Sequence, residues 1–407
     1  MNHTLEPTTP VDVIGTDAAR PNCEVVAKAS ALIPLIREYA EQSSADRRVA
    51  PEVMAALKAQ GLFKVFVPRR YGGYEENLAT AIETIAEVAR GNGSTAWVVA
   101  LLNLCTWFAT TFAQEAQDEV FGANPDATCC GIFTPFSKTV RVDGGYMVSG
   151  QWPYSSGWFG ADWATVGLSL DVEDENHPAL ALIPKEAWTI NPTWFVAGMQ
   201  GSGSDTIVVE DHFVPDHRVQ RFVAMRDANF ATPHKVNERN SNMAFIAVTA
   251  LILVGAQLGL ARHAMELTLQ KLPNKAVAYT KYTAAKNSPT HQIGVAVAAT
   301  KFNLAELLMR QATADVDNAA ARGELPDLIT RGRIRSDAGI VAELVKDGID
   351  ILMTTNGAGS FADANALSQI WRDAEIAGRH AFVSPEVGKE VYGRLLIGAD
   401  DALTMDV

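Results

Sequence analysis

The order of hydrophobic periods along the chain restricts its fold more than any other feature. From residue 25 to about 114, apolar residues recur with helical spacing, as at Ala31, Leu32, Leu35 and Ile36 and again at Met54, Leu57, Leu62 and Phe63. Between about 128 and 214 the period falls to two. Val140-Arg141-Val142 and Tyr146-Met147-Val148 flank Asp143-Gly144-Gly145, residues that accept positive φ cheaply, so a hairpin is predicted. Residues 163–168, 179–183 and 206–209 read as further strands. The helical period then returns over 244–271, 291–322 and 337–355, with shorter pieces at 364–377 and 386–395. Helices, a compact β unit and long helices in that order give an α+β fold, with little room for a parallel sheet. The apolar faces of the last segments, such as Val341, Leu344, Val345, Ile349 and Leu352, predict a helical bundle.

This pattern divides the 407 residues into an N-terminal arm (1–24), a helical domain (25–125), a central β domain (126–225) and a C-terminal helical bundle (226–407). Only Thr249 and Gln257 break the apolar run 243–261. A helix apolar all round is either a membrane span or a buried core helix. Its place among other amphipathic helices favours burial in the bundle or at a subunit interface. A formal charge of −13 lacks the basic face that nucleic acid demands and disfavours an anionic membrane. With 48% hydrophobic and 20% charged residues the chain is not disordered. Four cysteines, without zinc-ligand spacing, fit neither a disulfide scaffold nor a structural metal site. No metal is expected. The first twenty residues lack a basic start followed by an apolar core, so a reduced, cytoplasmic protein is the simplest expectation.

Several short motifs invite chemistry, each with a plainer reading beside it. Gly357-Ala358-Gly359-Ser360-Phe361-Ala362 fits the dinucleotide fingerprint, but helical spacing precedes it where that motif needs a strand. Its small residues could still let backbone amides approach a phosphate. Gly201-Ser202-Gly203-Ser204 is a tight turn or a contact for the polar edge of a planar cofactor. Ser155-Ser156-Gly157 after Trp152-Pro153-Tyr154 is a turn with local caps or a site. His380 stands near Arg372, Asp373 and Arg379, where a helix-end histidine is the plain alternative; Cys105, in an apolar helix, reads as core.

The order of these motifs is more specific than any one of them. Ala89-Arg90-Gly91-Asn92-Gly93-Ser94-Thr95-Ala96-Trp97, Gly131-Ile132-Phe133-Thr134-Pro135, the run from Gly144 through Ser155-Ser156-Gly157, Gly198-Met199-Gln200-Gly201-Ser202-Gly203-Ser204, and Trp371-Arg372-Asp373-Ala374 occur in sequence. Over residues 25–398 the chain resembles the acyl-CoA dehydrogenase superfamily. Within it, the chain is similar to the oxygenase components of two-component (group D) flavin monooxygenases, such as p-hydroxyphenylacetate hydroxylase and dibenzothiophene monooxygenase. The resemblance implies a central β-barrel and a C-terminal four-helix bundle, assembled as a homotetramer. Acyl-CoA dehydrogenases need a carboxylate base, and in many of them it follows the Arg-Asp-Ala segment. Here Ala381 falls at that place, beside His380.

The resemblance also implies a mechanism. A separate NAD(P)H:flavin reductase supplies FMNH2 by diffusion, with FAD as the other possible flavin. The reduced flavin and O2 then form a C4a-hydroperoxyflavin that hydroxylates an aromatic substrate in a dry site. Ser156 maps to the hydroxyl that accepts a hydrogen bond from flavin N5–H, and His380 to the catalytic imidazole near C4a. Phe133, Thr134, Ser155, Trp194, Ser202 and Ser204 map to flavin contacts, and Lys281, Asn356, Gly357 and Ser360 to its phosphate. Asn103, Cys105, Trp107, Phe108 and Phe112 are the expected substrate pocket. Cys105 stands where several relatives carry a second catalytic histidine, which favours a substrate needing no deprotonation: an apolar, indole-like or other fused aromatic ring, or an amine that is N-oxygenated. The rival readings are an FAD-dependent acyl-CoA dehydrogenase and a non-catalytic flavin carrier.

Overall fold

The computed structural model describes residues 19–172, 175–399, 403, 404 and 407. Most of the expected N-terminal arm, residues 1–18, lies outside the described residues. Asn22 already caps the first helix by accepting the Glu24 N–H. Seven α-helices come first among the described residues: α1 (Cys23–Ala31), α2 (Ile33–Glu38), α3 (Ala40–Ala45), α4 (Pro51–Ala59), α5 (Leu78–Gly91), α6 (Gly93–Thr110) and α7 (Gln114–Phe121). Asn77 and Asn92 start α5 and α6, each accepting a backbone N–H three residues on.

Among its described residues the β unit holds eight strands: β1 (Cys129–Ile132), β2 (Ser137–Val142), β3 (Gly145–Trp152), β4 (Trp163–Val172), β5 (Glu175–Pro184), β6 (Thr189–Asn191), β7 (Thr206–Pro215) and β8 (Val219–Arg221). The β2–β3 hairpin turns through Asp143-Gly144 as its sequence predicts, with Val142 opposite Gly145 and Gly144 at φ 74°. The closed barrel expected from the resemblance is not formed. The strands make two four-stranded sheets, ordered β1-β4-β5-β8 and β2-β3-β7-β6. Where β2 meets β4 a side chain stands in for the ladder, Ser169 N–H donating to Ser137 Oγ at 3.1 Å. Among the described strands only β1 and β4 run parallel.

After α8 (Phe222–Arg226) come α9 (Phe245–Lys271), α10 (Pro289–Ala321), α11 (Leu328–Asn356), α12 (Ala366–Ala377) and α13 (Pro385–Ile397). Helix α11 begins nine residues before the expected 337, because Asp327 caps it through Thr330 N–H although its first turns are polar. Among the described residues two helices, 93–110 and 245–274, are long and apolar enough to cross a membrane, yet the apolar 18-residue stretch of each is 94% buried inside the fold. Helix α9 is thus the core of the bundle. Of its two polar interruptions, Thr249 Oγ donates to Phe245 O and Gln257 Nε2 to Ala374 O on α12, while the buried Gln257 Oε1 has no partner among the described residues. Gly259 lets α5 close on α9, since a Cβ there would sit 2.0 Å from Ala86 O.

Candidate active site

Strand pairing brings the two serine motifs together. Trp152 at the end of β3 lies opposite Ile207 near the start of β7. The segment leaving β3 therefore runs beside the segment entering β7. Ser156 Oγ lies 2.7 Å from Ser204 Oγ, and Ser204 Oγ lies 2.7 Å from Ser202 Oγ. All three are buried. Two non-glycine residues in these loops adopt left-handed backbone, Tyr154 at φ 66° and Met199 at φ 53°. Such strain is kept where the surroundings fix it and collects at functional sites. Asp373 on α12 fixes Met199 by accepting its N–H at 2.6 Å. Met199 O in turn accepts from Ser202 Oγ (2.8 Å) and Trp194 Nε1 (2.9 Å). Trp194 meets Tyr154 edge-on, with centroids 6.1 Å apart.

Helix α6 supplies the link to His380. Trp97, one turn beyond the Asn92 cap, donates its Nε1–H to Ser156 Oγ at 3.1 Å. The same indole ring lies 5.9 Å from the His380 imidazole. His380 follows α12 and caps the short turn Ala381–Val383, its Nδ1 accepting Phe382 N–H at 3.2 Å. Burial, and then the Arg335 guanidinium, push its pKa down to about 4. The ring is therefore neutral at pH 7. With Nδ1 used as an acceptor, the proton resides on Nε2.

Aromatic side chains continue from there. Phe382 lies 6.3 Å from His380 and 5.8 Å from Phe133. Phe133 also meets Phe108 (5.4 Å), Phe245 (6.0 Å) and Phe222 (6.2 Å). A hydroxyl edge, an imidazole and a phenylalanine wall thus adjoin in one place. The fold brings Ser156, Ser202, Ser204, Trp194, His380, Phe133 and Phe108 into this set.

Other expected site residues are placed differently. Ser155 Oγ donates to Trp152 O at 3.0 Å and locks the turn. Thr134 is exposed. Asn103 is buried, donating to Leu62 O and Val99 O and accepting Val65 N–H. Its amide ties α6 to the segment after α4. Trp107 donates to Asn240 O, and Phe112 is fully buried. Cys105 is buried with its pKa pushed up to about 12, so it is a neutral thiol, 4.0 Å from Gly131 O. In the loop after α11, Asn356 Nδ2 donates to Thr268 Oγ and Leu352 O, and Ser360 Oγ donates to backbone carbonyls. Lys281 is exposed near the Tyr282 ring. Lys275 is the cation at this loop, 2.5 Å from Asn356 O and 3.9 Å from a Cβ built on Gly357.

Sequence alone gave no role to Trp97, Asp373, Phe245, Phe222 or Phe382. Trp97 and Asp373 do lie within the ordered motifs. Glu375, the other carboxylate on α12 near the missing base, pairs with Arg379 and lines a surface hollow with Lys301, Lys346, Asp347 and Asp350. Asp373 is committed to Met199 and Gln369. Glu115, Glu119 and His217 form a trio with metal-ligand reach, but Arg218 already pairs with Glu119.

Comparison with known proteins agrees with this architecture. Residues 27–122 match the acyl-CoA dehydrogenase N-terminal domain, and residues 251–385 the acyl-CoA dehydrogenase C-terminal domain. The chain is 31% identical, over 89% of its length and 95% of the relative's, to the flavin-dependent monooxygenase oxygenase subunit HsaA of Rhodococcus jostii. It is 29% identical to the FADH2-dependent resorcinol hydroxylase oxygenase component of a Rhizobium species, over 94% and 96% of the two chains. Among solved structures, XiaF from a Streptomyces species, in complex with FADH2 and glycerol, superposes with a TM-score of 0.90 at 30% identity, covering 95% of this chain and 97% of XiaF. The chain belongs to the acyl-CoA dehydrogenase superfamily, among the oxygenase components of flavin-dependent monooxygenases.

Proposed function

We propose that this oxygenase component hydroxylates an apolar aromatic ring at the site where Ser156, His380 and the phenylalanine wall adjoin. The observation that carries the proposal is the meeting of Ser156 and His380 at Trp97, with no carboxylate on α12 turned to their chemistry. That disfavours a dehydrogenase, which needs a base for the α-proton.

The residues present suit a reduced flavin. A buried row of hydroxyls offers an acceptor for an N–H edge, Trp194 and Tyr154 offer ring faces beside it, and the imidazole is neutral. When bound, the reduced flavin activates O2 and supplies one oxygen atom to the substrate. Ser156 Oγ would accept a hydrogen bond from an N–H of the flavin edge, and His380 would offer its Nε2–H as a donor beside it. Phe133, Phe108, Phe245 and Phe382 hold the substrate ring and exclude water. A wall of phenylalanines offers no polar partner for a hydroxyl, which fits an indole-like or fused ring better than a phenol. The flavin is FMN or FAD: XiaF is solved with FADH2, the Rhizobium resorcinol hydroxylase is FADH2-dependent, and TdsC of Paenibacillus is solved with FMN and indole. Lys275 and the backbone of the Gly357–Ser360 turn are the phosphate contacts we assign.

A separate flavin reductase supplies the reduced flavin by diffusion. We place the protein in the reducing cytoplasm, in keeping with four free cysteines. A homotetramer is supported by one face of α10. Ile293, Val297, Thr300, Leu304, Leu307 and Gln311 are exposed along it at alternating spacings of four and three, the seam of paired helices.

The test supplies reduced FMN or FAD under 18O2 with indole, phenols and amino sugars in turn. The expected result is one labelled oxygen in an aromatic product. Release of all oxygen as hydrogen peroxide with every substrate would overturn the proposal.

A further inference from the structure

We infer that the buried serine row is a polarised relay that fixes Ser156 as an acceptor, with Ser204, Ser202 and Trp97 as positioning residues. The inference rests on the flavin-oxygenase reading for its purpose and on this chain's geometry for its direction.

Three oxygen–oxygen contacts need a proton each: Ser156 to Ser204 (2.7 Å), Ser204 to Ser202 (2.7 Å), and Ser202 to Met199 O (2.8 Å). Three hydroxyls supply one proton each. The last oxygen is a carbonyl, which cannot donate. One arrangement alone fills all three contacts. Ser202 donates to Met199 O, Ser204 donates to Ser202, and Ser156 donates to Ser204. Any reversal leaves two oxygens facing each other without a proton at buried positions, a costly state. The other acceptor near Ser156, Tyr154 O, stands 3.5 Å away, at the limit of a hydrogen bond.

With its proton committed to Ser204, Ser156 Oγ has two lone pairs left. Trp97 Nε1–H takes one at 3.1 Å. The other can only accept. A serine free to rotate would spend part of its time pointing its proton at the flavin edge, against N5–H. The relay removes that state. Asp373 anchors the far end by holding Met199 N–H at 2.6 Å, which sets the carbonyl that receives the first proton.

The test is neutron diffraction of deuterium-exchanged crystals of the full-length protein, paired with Ser204→Ala and Ser204→Thr. Deuterium on Ser156 should lie toward Ser204, and that on Ser204 toward Ser202. Deuterium from Ser204 toward Ser156 would overturn the inference. With 15N5-labelled reduced FMN bound, the N5–H resonance should move upfield in Ser204→Ala and return in Ser204→Thr. The share of oxygen released as peroxide should rise about tenfold in the alanine variant alone. An unmoved N5–H resonance in Ser204→Ala would also overturn it. If the wild-type protein hydroxylates nothing while the deuterium order stands, the relay holds and only the oxygenase reading fails. If the wild type couples well but the order is reversed, the relay alone fails.

Discussion

The serine wall of the site stands on irregular backbone, with Tyr154 and Met199 at positive φ, whereas the phenylalanine wall hangs largely from regular helices. Phe108 comes from α6, Phe222 from α8 and Phe245 from α9. Under the proposed function, the contrast follows from what each wall would do. Hydrogen bonds to a cofactor edge fall off within a few tenths of an ångström, so that wall is pinned at both ends by Trp97 and Asp373. An apolar ring is held by area and shape, for which helix faces at ordinary packing distances suffice. The hydroxyl side should therefore tolerate almost no change, and the aromatic side should trade size for selectivity.

Four measurements would break or sharpen that contrast. His380→Ala should lower product formation about 100-fold, the low end for loss of a positioned proton donor, while flavin affinity stays within about twofold. Equal losses in flavin binding and turnover would show that the imidazole only holds the cofactor. Ser156→Ala should raise peroxide release about 30-fold, since a buried N–H loses its acceptor; normal coupling in a stopped-flow and peroxide assay would remove Ser156 from the chemistry. On the other wall, Phe133→Ala should raise the Michaelis constant about tenfold for a single ring and less for a fused one, with peroxide release near normal at saturating substrate. A variant that uncouples as badly as Ser156→Ala would erase the distinction between the walls.

The smallest effect concerns pH. His380 in the folded protein has a pKa near 4, below the ordinary value of 6.5. Its contribution to stability is thus full above pH 6.5 and is lost as pH falls from 6.5 through 4. Asp373, raised by burial to about 6 from 3.8, does the reverse: its contribution is present below pH 3.8 and is lost as pH rises through 6. Thermal unfolding of His380→Asn should lose less stability than wild type between pH 6.5 and 4, and Asp373→Asn less between pH 4 and 6. The coupling efficiency should show no inflection from His380 between pH 6 and 8, because the imidazole is already neutral there; an inflection near 6.5 that vanishes in His380→Asn would contradict that neutrality.

Much of this molecule is legible in its sequence because period and caps are local. The helix–strand–helix order and the Asp143-Gly144 turn can be read directly. The first turns of α11 cannot, since Arg331, Arg333 and Arg335 hide the apolar face and Asp327 starts the helix instead. Closure of the strands is a global property, and the resemblance implied a barrel where two sheets meet through Ser137. At the site, Ser156 and His380 are carried by motif order. Trp97 and Asp373 gain their roles only from contacts 59 and 174 residues away in the chain. Lys275 and Lys281 sit in one irregular segment, where spacing cannot tell which reaches Asn356.

Asp373 has one more consequence. Its carboxylate binds the loop that leads into β7, and its second oxygen lies 2.7 Å from a Cβ built on Gly93, at the head of α6. One buried side chain of the C-terminal helices therefore touches both other parts of the chain. A change at this one carboxylate would loosen the hold of the bundle on the β7 loop and on the head of α6 together.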